Sequence, residues 1–267
     1  MKRFAAMLSL LVPVAAGVAR WLDLVNFTDL ETGFSTLWPV WYRYACLGLV
    51  LALGLLASRL AARCPETLLR RSRCLGLLCV ITGGAYALFT GVKLVLLRET
   101  EDLATLEGAV TVLYLLTALW LLLLGVSRLS GYTGAPSASA WVGVLGTAAF
   151  FLLTVYRFSD MPTGIVRVAP TVEVFSALAA LLLMQGAVKA FYLPHSGAGR
   201  GLFFRGYAAF ALCTCLELPQ SLCLYLAGQA DRMKLAESMA LGLVGLIGLG
   251  CCLLAVCAEQ TPAAETE

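Results

Sequence analysis

Eight long apolar stretches constrain this chain more than any other feature of its sequence. Their lengths are close to the roughly 20 residues that an α-helix needs to cross a bilayer. In lipid, only helices or a closed barrel satisfy all backbone groups, and runs this long exceed the strands of a barrel. We therefore predict an all-α, polytopic transmembrane helical bundle of about eight spans. The stretches are Phe4–Leu22, Pro39–Ser58, Cys74–Leu97, Gly108–Ser127, Trp141–Phe158, Thr171–Tyr192, Gly206–Ala227 and Ala236–Cys257.

The composition also indicates a membrane protein. Hydrophobic residues make up 60% of the chain and charged residues 13%, against roughly 45–50% and 25% in an average soluble domain. A soluble protein of this size could not bury so much apolar surface, so a lipid bilayer is the expected environment. The formal net charge of +3 does not point to nucleic acid, because the arginines form no extended patch with interleaved aromatic residues.

A motif that occurs twice suggests how the bundle is organised. Phe27-Thr-Asp-Leu-Glu-Thr-Gly33 recurs 131 residues later as Phe158-Ser-Asp-Met-Pro-Thr-Gly164, about half of the 267-residue chain. Both copies occupy a polar gap between two apolar stretches, where general hydrophobicity cannot produce a match. We predict two parallel four-helix repeats, residues 1–132 and 133–258, related by a pseudo-twofold axis along the membrane normal. Residues 259–267 would form a short, disordered cytoplasmic tail.

Basic residues predict the orientation in the membrane. The connection from Arg59 to Arg73 contains five arginines, and positive charge concentrates in cytoplasmic loops. This places both termini in the cytoplasm and both motifs outside, in the inner membrane of a bacterium. The first stretch follows Lys2 and Arg3 and resembles a secretory signal peptide. We expect it to be retained, because the repeat pairs it with the internal stretch Trp141–Phe158.

Each copy of the motif forms a turn between two spans. Asp29 and Thr32 can cap the following amides, and Gly33 can adopt a left-handed conformation. The second copy offers the equivalent residues Asp160, Thr163 and Gly164. A shaped hairpin explains all of these residues. The alternative is that Asp29 and Asp160 meet near the twofold axis and hold a cation or a cationic substrate.

Polar residues within the spans suggest a path for a substrate or an ion. Glu217 lies near the middle of the seventh stretch, and Gln220 shares its helical face. Tyr86 and Lys93 belong to a polar stripe on the third stretch, which is related to the seventh by the repeat. A carboxylate in mid-membrane is costly and is by default a functional hypothesis. The alternative is a neutral, hydrogen-bonded packing glutamate beside Pro219.

Two further expectations concern the charges near these residues. By the repeat register, Lys93 lies roughly 10 Å nearer the outside than Glu217, at 1.5 Å per residue. We therefore expect no direct pair between them and a mostly neutral Glu217 at rest. Arg43 and Glu173 lie at similar depth near the outer ends of equivalent helices. They can pair across the axis, or each can extend separately to the headgroups.

Signatures of catalysis and of cofactor binding are missing from the sequence. It contains no HExxH, GxSxG or phosphate-binding glycine loop, and His195 is its one histidine. The ten cysteines lack zinc-site spacing, so we interpret them as small packing residues. We expect no metal or cofactor, and the sequence argues against an enzyme without excluding one.

The stretch from Asp29 to Phe34 carries a resemblance to known proteins. Its Asp-Leu-Glu-Thr-Gly sequence is similar to the Asp-x-Glu-Thr-Gly motif in an outer loop of multi-pass bacterial membrane proteins of unassigned function. In the second copy Pro162 replaces Glu31, which argues against a role requiring two glutamates. The resemblance implies a membrane protein and no particular activity.

These observations favour a small-solute or ion transporter, or a membrane subunit of a transport complex, with Glu217 in the path. The alternative is a non-catalytic membrane protein that docks a protein partner, or a second copy of itself, through its outer Asp-Thr-Gly hairpins. A transporter should have a water-accessible cavity reaching Glu217, whereas a docking protein should bury this residue. The sequence does not identify the substrate, the partner or the oligomeric state.

Overall fold

The computed structural model describes residues 2–30, 33–34, 36, 39–60, 72–99, 105–132, 134–136, 139–160, 167–193 and 199–257. In these residues it confirms an all-α membrane bundle with eight helices long and apolar enough to cross a bilayer. The spans, numbered in chain order, are Lys2–Ser9 with Leu11–Phe27, then Val40–Leu60, Arg73–Glu99, Leu106–Leu129, Trp141–Asp160, Val168–Tyr192, Gly199–Leu226 and Arg232–Cys257.

Local signals in the sequence set several span ends. Thr105 accepts a hydrogen bond from the Gly108 amide at 3.2 Å and begins the fourth span, as an N-cap threonine does. Asp231 accepts from the Lys234 amide at 2.7 Å at the start of the eighth. The seventh span ends at Leu226, and Gly228 just beyond it has a φ of 73°, a conformation that glycine adopts without strain.

Glycines bring neighbouring spans into close contact. The third and fourth spans meet at Gly76 and Gly125, where a Cβ on Gly125 would lie 2.7 Å from the Gly76 carbonyl oxygen. The seventh and eighth meet in the same way at Gly206 and Gly248. Small residues at such contacts are typical of helix packing in membranes. Gly206 and Gly248 therefore allow the backbones of the seventh and eighth spans to approach closely.

The spans differ in how much of their surface the rest of the protein covers. The seventh and eighth are the most enclosed, whereas the first two expose most of their side chains to the surroundings. Buried portions amount to 17% of the second span and 56% of the sixth, which the predicted repeat makes equivalent. The two halves therefore pack differently in the bundle, and the parallel repeat stays a prediction.

The seventh span contains a π-helical segment, Phe210–Glu217, between two α-helical parts. Its wider turn is visible at Leu218, whose amide donates to the carbonyl of Cys213, five residues earlier. Pro219 follows immediately and has no amide proton to donate, which disturbs the regular α-helical ladder. Segments of this kind are frequent at functional sites, and this one ends on Glu217.

The first motif forms the turn that the sequence predicts. The Gly33 amide donates to the Asp29 carbonyl at 2.8 Å, and Gly33 has a φ of 73°. The Asp29 amide donates to the carbonyl of Phe34 at 2.9 Å. Thr32 lies outside the described residues, as do Thr163 and Gly164 of the second copy. Asp160 is exposed at the last residue of the fifth span.

Candidate functional site

The main polar cluster inside the bundle is built around Glu217. Its carboxylate is fully buried and receives two hydrogen bonds from Arg157, at 3.1 Å from Nη1 and 2.8 Å from Nη2. This two-pronged geometry is the strongest form of an arginine–carboxylate pair. Arg157 lies in the last turn of the fifth span. The basic partner of Glu217 is therefore Arg157, which was not identified from the sequence, whereas Lys93 pairs with Glu107 and Glu237.

Two hydroxyl groups complete the surroundings of this carboxylate. Ser176 of the sixth span donates to Glu217 Oε2, and Ser238 of the eighth donates to Oε1 at 3.1 Å. Glu217 thus joins four spans. A buried charge needs such partners. Burying even a neutral polar group without a hydrogen bond costs roughly 2–7 kcal/mol, and burying an isolated charge costs more.

Ion pairs continue from Glu217 toward the surface of the protein. Arg157 Nη2 also contacts Glu237 at 3.2 Å, and Glu237 lies 3.5 Å from Nζ of Lys93. Lys93 in turn pairs with Glu107 at 2.8 Å, and the Glu107 side chain is 34% exposed. We call these five residues, Glu217, Arg157, Glu237, Lys93 and Glu107, the ion-pair network. It runs from a half-exposed carboxylate to a fully buried one.

The polar stripe predicted on the third span faces the interior of the bundle. Thr82, Tyr86, Thr90 and Lys93 are all buried. Tyr86 lies close enough to Glu237, Arg157 and Glu217 to interact with their charges. Its ring is 5.1 Å from that of Tyr114, and neither hydroxyl has a hydrogen-bond partner among the described residues. Two unsatisfied hydroxyls therefore lie next to the ion-pair network.

The second polar cluster lies between the first, second and seventh spans. Asp23 joins two arginines, Arg20 at 2.8 Å and Arg43 at 2.5 Å. Arg20 also donates to Oε1 of Gln220 at 2.9 Å, and Gln220 donates to the carbonyl of Ala169 at 3.1 Å. The predicted path residue Gln220 thus belongs to this cluster, and it lies one helical turn beyond Glu217.

Arg43 and Glu173, which the sequence leaves either paired or separate, each have another partner in the structure. Arg43 binds Asp23, and the carboxylate of Glu173 lies 3.0 Å from Nζ of Lys234. The partners are supplied by neighbouring spans, the first for Arg43 and the eighth for Glu173. These ion pairs follow from which spans are neighbours in the bundle, and not from equal depth in the predicted repeat.

Sequence reasoning missed Arg157 and Glu237, the residues that link Glu217 to the surface. Both lie just inside apolar stretches, Arg157 one residue before Phe158 and Glu237 one residue after Ala236, and neither was singled out as a site residue. The helices continue beyond them, to Asp160 and from Arg232. A usable signal was present, since each is a charged residue inside an apolar stretch, where charge is costly.

Within the part of the chain that the structure describes, no group of three or more histidine, cysteine, aspartate or glutamate side chains is placed to hold a metal ion. The acidic residues around Glu217 are separated by Arg157 and Lys93.

Comparison with known proteins gives one partial likeness. The chain is 36% identical over 155 residues to an adenosylcobinamide-GDP ribazoletransferase of Stutzerimonas stutzeri (strain A1501). The match covers 56% of this chain and 57% of that protein, so the two are similar over little more than half their lengths. No family model matches the chain, and no solved structure matches it.

Proposed function

We propose that this membrane protein transports a proton or a small monovalent cation along a path that includes Glu217. The observation that carries this proposal is the ion-pair network, which leads from half-exposed Glu107 to fully buried Glu217. Charged side chains inside a membrane bundle are costly and typically mark ion pathways. A purely structural role needs no connection to the surface.

The charges of the ion-pair network favour a positively charged occupant. Three carboxylates, Glu107, Glu217 and Glu237, face two cations, Lys93 and Arg157. One negative charge is left over when all five groups are ionised. A proton or a monovalent cation would balance it, whereas an anion would add to the repulsion.

Exchange of partners at Arg157 provides a mechanism. Its guanidinium already contacts both Glu217 and Glu237. A proton arriving on Glu217 weakens the pair with Arg157, which then shifts toward Glu237. The hydroxyls of Tyr86 and Tyr114 lie next to this point, and their oxygens would hydrogen-bond an ordered water or coordinate a cation. The π-helical segment ending at Glu217 gives the seventh span a place to rearrange.

Glu217 is fully buried, which is the arrangement expected of a docking protein; for a transporter it represents a closed conformation. Under the proposal, the fifth, seventh and eighth spans separate during transport and admit water to the carboxylate. A protein that only docks a partner would keep Glu217 buried at all times. A transporter therefore moves an ion across the membrane, whereas a docking protein moves none.

The test uses the purified full-length protein in liposomes. A potassium gradient with valinomycin sets a membrane potential, and entrapped dyes report the entry of protons and of sodium. In a separate experiment without valinomycin, a sodium gradient is imposed and the entry of potassium is followed. We expect one of these cations to enter faster than in protein-free liposomes. Entry equal to that of protein-free liposomes for all three cations would contradict the proposal.

The partial sequence likeness favours a second candidate function, that of a membrane-bound transferase. The protein it resembles is named for transfer of ribazole to adenosylcobinamide-GDP. Incubating the purified protein with both compounds, and following the consumption of adenosylcobinamide-GDP by mass spectrometry, tests this candidate. Consumption that requires ribazole supports it, and an unchanged mixture removes it.

A further inference from the structure

A small crevice lies beside the second polar cluster, at the end of the bundle where the first and second spans connect. Its walls come from four spans and from the first motif, and its cavity volume is about 20 Å³. A single water needs roughly 10–15 Å³, so the crevice holds one small group. We call it the arginine crevice; it is lined by Arg20, Leu24, Thr28, Leu30, Gly33, Arg43, Val168, Ala169 and Leu224.

The charges in the arginine crevice do not balance. Arg20 and Arg43 share one carboxylate, that of Asp23. The other polar contacts of the two guanidinium groups are to neutral oxygens, those of Gln220, Thr28 and the Phe27 carbonyl. One positive charge is therefore left over in a largely apolar setting, where an uncompensated ion is expensive.

An unused donor accompanies this excess charge. Arg20 is 8% exposed, and its Nε has no hydrogen-bond partner among the described residues. Buried polar atoms are nearly always paired, so an orphaned one on a residue that lines a cavity points to a missing acceptor. A guanidinium binds oxyanions through two parallel hydrogen bonds, and Nε commonly supplies one of them.

From these observations we propose that the arginine crevice binds the negatively charged group of a small anion, a carboxylate or a phosphate. The charged group accepts from Arg20 Nε and is held by the excess positive charge. The rest of the ligand extends between Leu24, Leu30 and Leu224. The ligand is a free anion or the headgroup of an anionic phospholipid, since both present the same chemistry to the crevice.

The site contacts the seventh span directly. Arg20 donates to Gln220, which lies one turn from Glu217 on that span. An anion that draws Arg20 toward itself weakens this bond. Anion binding is a separate claim from cation transport, because it concerns other residues and is measured without flux.

Equilibrium binding to the purified full-length protein in detergent tests the proposal. Radiolabelled inorganic phosphate and acetate serve as free anions, at constant ionic strength set with chloride. A third measurement uses protein extracted from phosphatidylglycerol vesicles and analysed intact by mass spectrometry. The variants are Arg20→Gln and Arg43→Gln, each of which leaves Asp23 one arginine. Arg232→Gln is the control, an exposed arginine at the same end of the bundle.

We expect saturable binding of phosphate or acetate, or retained phosphatidylglycerol, in the wild type and in Arg232→Gln. Arg20→Gln and Arg43→Gln should lose it while eluting as folded protein in size-exclusion chromatography. Retained lipid alone assigns the crevice to a headgroup, and binding of a free anion assigns it to a soluble ligand. Absence of all three in the wild type, or equal binding by a folded Arg20→Gln protein, would overturn the proposal.

Discussion

Replacing Arg157 should destabilise the protein more than replacing its ion-pair partner Glu217. Changing Arg157 to Gln leaves the fully buried carboxylate of Glu217 with hydrogen bonds from Ser176 and Ser238 alone. Breaking a buried pair by removing one partner costs about 3–5 kcal/mol, since the remaining charge is uncompensated. We expect Arg157→Gln to lower the free energy of unfolding by about this amount.

Changing Glu217 to Gln should cost less. Arg157 keeps a carboxylate partner in Glu237 at 3.2 Å, and the amide retains one acceptor oxygen. The loss is about the difference between a charged and a neutral hydrogen bond, roughly 1–2 kcal/mol. In the double variant no carboxylate is orphaned at position 217, so its cost should fall short of the sum by about 2 kcal/mol.

Unfolding in mixed micelles, titrated with dodecyl sulfate and followed by circular dichroism, measures all four proteins of this cycle. Additive losses would show that the two side chains do not interact, and the ion-pair network would lose its central link. A larger loss in Glu217→Gln than in Arg157→Gln would refute the reasoning that Glu237 shares the arginine.

Two other predictions concern packing and topology. Gly17→Ala should lower the free energy of unfolding by about 1–3 kcal/mol, because its Cβ would overlap the Cys215 carbonyl oxygen. In the control Gly84→Ala the new Cβ meets nothing within 4 Å, so this variant should be neutral or stabilising. Equal effects of the two changes in the same unfolding titration would contradict this packing. Single cysteines at Thr32 and Thr163, in a cysteine-free background, should both react with an impermeant thiol reagent in intact cells, because the predicted repeats are parallel, and reaction of one alone would exclude that arrangement.

Much of the fold follows from the sequence because lipid leaves few alternatives. Apolar length alone predicts all eight spans, and the turn at Gly33 follows from its motif. Span ends are less certain, since polar residues can continue a helix beyond its apolar stretch. The fifth span ends at Asp160 instead of Phe158.

The candidate site could be predicted only in part. Glu217 is identifiable as a carboxylate far from either end of an apolar stretch, and Pro219 indicates an irregular helix there. Its partners Arg157, Ser176 and Ser238 come from three other spans. Which spans are neighbours depends on packing between helices, and hydropathy carries no information about it. The same holds for Arg43, whose partner Asp23 belongs to the first span.

The most direct measurement of the central claim compares cation entry into liposomes for the wild type, Glu217→Gln and Glu99→Gln. Glu99 is an exposed carboxylate at the last residue of the third span, so its variant controls for loss of one negative charge. All three proteins are reconstituted at equal density after a check of their fold. We predict that the rate of cation entry with Glu99→Gln equals that of the wild type and that the rate with Glu217→Gln falls to that of protein-free liposomes. Wild-type entry by a folded Glu217→Gln protein would contradict it.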